Sequence, residues 1–186
     1  MARIIFETQG GNIVCPSQVL CDRRDGGHLI VNPRRAVWDR SALTTGELLA
    51  WSVLVAATGE AMLEVLPALQ GGCLNYWEAG NWALHDHAAP EGPKRPAEHR
   101  RVHLHIFGRS RDAQHPDWRW GASPRFPSFA ESDRWSAQFS PLTEEECSRV
   151  AARAAALLAT RYRLPALRLN VSRDACASAA HAGICA

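Results

Sequence analysis

Apolar residues recur with a period of two in several short runs and with a period near that of a helix in two longer ones. The clearest run is Arg101-Val102-His103-Leu104-His105-Ile106-Phe107-Gly108. A strand sends successive side chains to opposite faces, so His99, Arg101, His103 and His105 share one face if the strand reaches that far, while Val102, Leu104 and Ile106 face a core. Shorter runs predict strands over 3–7, 14–21, 28–32 and 73–77. Pro33, which has no N–H to give a ladder, closes the third, and residues 22–27 form a turn cluster. The spacing predicts a helix over 44–66, opened by the capping-box pattern of Thr44 and Glu47 and ended by Gly71-Gly72. A second, Ala-rich helix over 143–162 opens on Thr143 and Glu146 in the same pattern. Residues 83–98 read as a loop and 109–140 as a cover with a short helical turn. The order of strands, helix, strands, helix predicts an α+β fold, an antiparallel sheet with helices on one face.

The 186 residues suit one domain, set at 1–162, with an extension over 163–186 that is part strand or coil and mobile at its end. A formal net charge of +2 argues against a nucleic-acid partner. The longest apolar stretch, around 48–66, is broken by Thr58, Gly59, Glu60 and Glu64, so no membrane span is expected, and residues 1–9 carry one basic residue and no long apolar run, so no secretory signal is expected. Six cysteines with no CxxC pair fit reduced thiols in a cytoplasmic protein.

Two imidazoles and a guanidinium on one strand face form a cationic, hydrogen-bonding surface suited to phosphate. An imidazole is also a fair nucleophile at neutral pH. His85 and His87 form a second His-x-His; with His103 and His105 they make an alternative zinc site. Trp77, Trp82, Trp118 and Trp120 are candidates for stacking on a base.

Three segments, in order, resemble the histidine triad (HIT) superfamily of nucleotide-binding hydrolases and transferases. They are Gly27-His28-Leu29-Ile30-Val31-Asn32-Pro33-Arg34-Arg35 before the first helix, Asn75-Tyr76-Trp77-Glu78-Ala79-Gly80-Asn81, and His103-Leu104-His105-Ile106-Phe107-Gly108-Arg109, together covering about 14–110. Counting back from Gly108, His105 falls on the third histidine of the family's His-x-His-x-His motif, His103 on the nucleophile, and Arg101 on the first. A second register makes His103 the first, His105 the nucleophile and Phe107 the third. The chain departs from the family in Arg101, in the long segment 82–100, and in Asn81 where the family has Gln.

The resemblance implies a HIT-like fold of about five antiparallel strands with two main helices, often a homodimer. It implies hydrolysis or nucleotidyl transfer at an α-phosphate through a nucleotidyl-His103 intermediate, on dinucleoside polyphosphates or nucleoside phosphoramidates. Arg101 would neutralise charge, His105 would assist the leaving group, and Asn75, Asn81 and His28 would hold the substrate. The covalent step would need no cofactor, with Mg2+ accompanying a polyphosphate substrate. The second hypothesis, motivated by Arg101, is a nucleotide-binding module with weak or no catalysis.

Overall fold

The computed structural model describes residues 2–163; the extension expected over 163–186, and with it Cys176 and Cys185, falls almost wholly outside the described residues. Five strands, β1 (Arg3–Thr8), β2 (Gly11–Cys15), β3 (His28–Pro33), β4 (Cys73–Ala79) and β5 (His103–Arg109), form one antiparallel sheet in the order β1-β2-β3-β5-β4. Helix α1 spans Thr45–Val65, and a short turn of helix, α2, spans Pro96–His99. Helix α3 spans Ser132–Ser136 and α4 spans Glu144–Thr160. The α+β architecture with two main helices is as the pattern predicted.

Both long helices start where the sequence places them. Thr44 accepts from the Glu47 N–H while Glu47 accepts from the Thr44 N–H, and Thr143 and Glu146 repeat the arrangement. The main core lies between one sheet face and these helices. Ile13, Leu29, Val31, Val102, Leu104 and Ile106 come from the sheet side and meet Trp51, Leu54, Met62 and Val150. Helix α1 is long and apolar enough by length and composition to cross a membrane, yet it packs on the sheet and on α4; only 39% of its most apolar window is buried.

Strands β2, β4 and β5 differ most from the pattern. Strand β2 begins at Gly11 rather than 14 and stops at Cys15 because Pro16 cannot extend the ladder, and residues 16–22 run on as irregular chain that is buried except at Ser17 and Gln18. Strand β4 continues two residues beyond Trp77 to Ala79. Strand β5 begins at His103 rather than 101, because the Val102 N–H donates to the Val37 carbonyl at 2.8 Å instead of to a neighbouring strand.

The opposite sheet face is covered by residues 109–140, which contribute short 3-10 turns at Pro116–Trp118 and Phe129–Glu131 and helix α3. This cover has its own small core of Leu20, Cys21, Phe107 and Trp118. The Trp118 and Trp135 indoles both donate to the Leu20 carbonyl, at 3.0 and 3.2 Å, pinning the cover to the irregular segment after β2. Gly26 and Gly108 let two backbones touch: a Cβ on Gly108 would lie 2.1 Å from the Gly26 oxygen.

Candidate active site

Register fixes the site. On β5, His103, His105, Phe107 and Arg109 share the face turned toward the cover. Across the ladder Ala79 stands opposite His103, Trp77 opposite His105, Asn75 opposite Phe107 and Cys73 opposite Arg109. On the other side His28 pairs with Phe107 and Ile30 with His105. His28 is thus one diagonal step from His105, within reach of a long side chain.

The contact is a hydrogen bond. His28 Nε2 and His105 Nδ1 are 2.8 Å apart, both rings buried, His28 at 1% exposure. Protons can be assigned from the partners. The Leu20 backbone N–H donates to His28 Nδ1 at 3.2 Å, so that nitrogen is the acceptor and Nε2 carries the hydrogen of the neutral ring. Nε2–H therefore donates to His105 Nδ1, and the neutral His105 ring must carry its own hydrogen on Nε2. Burial holds both rings neutral: it pushes His28 well below the ordinary histidine value, and His105 down to about 3, with neighbouring histidines adding to each shift.

His103 is set the opposite way. Its Nδ1 lies 2.9 Å from the Arg101 carbonyl. A carbonyl only accepts, so Nδ1 carries the hydrogen and Nε2 keeps its lone pair. Burial lowers the His103 pKa as well, so the ring is neutral at neutral pH. The two rings, 4.7 Å between centroids, thus differ in kind: His103 offers a lone pair at Nε2 and His105 offers an N–H.

Both rings line a cavity of about 480 Å3, together with Leu20, Trp77, Gly80, Asn81, Trp82, His99 and Arg101. That volume is within the range of small-molecule sites. Gly80 takes φ +127°, and a Cβ there would lie 2.7 Å from the Arg101 oxygen, so the turn that brings Asn81 to the cavity needs glycine. The Arg100 Nε donates to Asn81 Oδ1 at 3.3 Å, which turns the Asn81 NH2 into the available donor. Arg100 is itself held by Asp39 at 3.4 Å and faces Glu78 at 3.8 Å.

The sequence-expected residues do not all meet. His103, His105, Arg101 and Asn81 share the cavity, and His28 supports it from beneath. Arg101 is exposed, lies before the strand, and donates to the Ala97 and Arg100 carbonyls. Asn75 is on the same sheet face but lines a different depression, with Arg109. Phe107 is fully buried and stacks on His28 and His105, so the second register would put a ring without hydrogen-bonding groups in the third position.

Trp118 is also fully buried and is not available to a base, whereas Trp82 lines the cavity and Trp77 stacks on His105 at 5.4 Å. His85 and His87 are exposed, His85 stacking on Phe129, and neither lines the cavity. Among the described residues no three His, Cys, Asp or Glu side chains are grouped to hold a metal ion, so the alternative zinc set is not assembled.

Sequence reasoning missed Leu20, which lines the cavity and whose N–H sets the His28 tautomer, and Arg100, which orients Asn81. Arg100 had a signal in its adjacency to Arg101, but only the fold shows which of the two turns toward Asn81.

No family model matches this chain, and a search of curated proteins finds no match. Among solved structures, it is similar to the crystal structure of a hypothetical histidine triad nucleotide-binding protein from Sulfolobus tokodaii strain7. The identity is 13% and the TM-score 0.45, over 85% of this chain and 87% of that one.

Proposed function

We propose that the cavity binds a nucleoside phosphate ester, anhydride or phosphoramidate and hydrolyses it at the α-phosphorus, with His103 as nucleophile. The observation that carries this reading is the pair of opposed tautomers. His103 Nε2 has a lone pair facing a cavity with N–H and guanidinium donors, while His105 presents only an N–H.

In the first step the His103 Nε2 lone pair forms a P–N bond and the bond from phosphorus to the leaving group breaks. Nδ1–H stays on the Arg101 carbonyl, which spreads the positive charge of the phosphorylated ring. His105 Nε2–H, Asn81 and Arg101 are the donors for the phosphoryl oxygens and for a departing oxygen, where preorganised donors contribute most, while a departing phosphoramidate nitrogen takes a proton from solvent and leaves as the amine. In the second step water attacks phosphorus, the P–N bond breaks, His103 returns to neutral, and one proton is released to solvent with the mononucleotide. Splitting one displacement into two is the gain from a covalent intermediate. Mg2+ would accompany a polyphosphate substrate as its counter-ion.

Trp82 and Leu20 provide the apolar surface for the base. The reading also includes a homodimer. Much of the apolar surface of α1 stays outside the core, Leu63 is 38% and Tyr76 50% exposed, and β4 is an edge strand, a combination that suits a second copy.

The test is turnover of a panel of dinucleoside polyphosphates and nucleoside phosphoramidates in 18O-water. Label in the mononucleotide phosphate, with turnover lost in His103→Ala, is the expected result. Tight binding of nucleotide with no turnover by the wild type would instead favour the binding module, with Arg101→His as the variant to restore activity.

A further inference from the structure

Arg109 is 4% exposed, and none of the ion pairs among the described residues includes it. Its Nη2 donates to the Arg119 and Ala122 carbonyls, both at 2.7 Å, and its guanidinium lies 5.5 Å from the centre of the Trp118 ring. Nη1 is the one buried side-chain nitrogen or oxygen among the described residues without a hydrogen-bond partner. The buried Asp25 carboxylate accepts from the Gln114 and His115 N–H groups instead. A guanidinium stays charged at any physiological pH, and a buried cation without a counter-charge is costly.

This cation lines a depression of about 460 Å3 whose other walls are Cys73, Asn75, Ser123 and the 120–124 segment, with no acidic residue among them. Arg111, 5.3 Å from the centre of the Trp120 ring, adds positive charge at its rim. The depression lies four residues beyond His105 along β5, roughly 13 Å at ~3.3 Å per residue. An aromatic wall of Trp77, Phe107 and Phe126 stands between the two sites.

We propose that Arg109, Asn75 and Ser123 form a second site, separate from the histidine cavity, that binds a phosphate-type oxyanion. The guanidinium supplies the charge, and the Asn75 amide and Ser123 hydroxyl supply donors at the open side. Nη1 is shielded, so an arriving oxyanion lifts part of the 119–124 segment tied to Nη2, and that segment reports occupancy. The inference moves Asn75 from the catalytic cavity to this site and does not rest on the chemistry of His103.

The experiment is titration of the full chain with inorganic phosphate at constant ionic strength, followed by 15N NMR, with Asn75→Asp as the variant. The substitution puts a carboxylate beside Arg109 at an exposed position, which tests the site without removing the buried arginine. The expected result is saturable movement of the Asn75 side-chain amide and the Gly121, Ala122 and Ser123 backbone signals, with affinity at least tenfold weaker in Asn75→Asp. Movement confined to Gly80, Asn81 and His103, no movement at all, or undiminished affinity in Asn75→Asp would overturn it. None of these outcomes alters the expected turnover at His103, so failure here is distinct from failure of the hydrolase reading.

Discussion

Replacing His28 with Phe tests the buried hydrogen-bond chain most severely. The ring stays roughly the same size against Phe107, but two polar groups lose their partner: the Leu20 N–H, which donates to His28 Nδ1, and His105 Nδ1, which accepts from His28 Nε2. An orphaned buried group costs about 1–3 kcal/mol, so the loss is about 2–6 kcal/mol, a large part of the ~5–15 kcal/mol of an ordinary domain. A second readout is the pH dependence.

Folded His28 and His105 resist protonation that the unfolded chain accepts near the ordinary value, so the unfolded state binds more protons below it. Stability is therefore fully present above about pH 6.5 and falls as pH is lowered, for His105 until about pH 3. Each such histidine contributes a slope of about 1.4 kcal/mol per pH unit. The variant has one fewer and is expected to lose that share of the slope. Urea unfolding of wild type and variant between pH 7 and 5 measures both quantities. A destabilisation under about 1 kcal/mol with an unchanged slope would refute the reasoning.

His103→Ala is expected to lower turnover by more than about a thousandfold while nucleotide binding survives, checked by single-turnover kinetics beside a binding isotherm. With the His103 pKa lowered by burial, the acid limb of kcat/KM is expected below the ordinary histidine value, and a limb centred above it would contradict the neutral-nucleophile assignment. Arg100→Met removes the donor that orients Asn81, so KM is expected to rise several-fold, about 1 kcal/mol, with a smaller change in kcat. Leu63→Asp on the exposed face of α1 is expected to shift sedimentation toward monomer with little loss of monomer stability.

The alternation from Val102 to Phe107 set which side chains enter the core, and that alone placed His103 and His105 on the other face. The two capping boxes likewise marked both long helices, because their determinants lie within four residues of each other. What the sequence left hidden is non-local. Asn75 stands opposite Phe107 rather than beside the histidines because of the β4–β5 register, which no local pattern encodes. His105 was legible as a strand residue, but its tautomer depends on His28, 77 positions earlier, and on Leu20 in a segment that Pro16 removes from the sheet. The early start expected for β5 failed for the same reason: Val37, far back in the chain, takes the Val102 N–H.

The most direct test of the account is rapid-quench mass spectrometry with peptide mapping after mixing the protein with an adenosine phosphoramidate. A transient nucleotidyl adduct localised to His103 by fragmentation of the peptide that carries both His103 and His105, formed and lost at rates matching turnover and absent in His103→Ala, is the predicted result. Turnover with no adduct, or an adduct on His105, would contradict the assignment of nucleophile and donor drawn from the two tautomers.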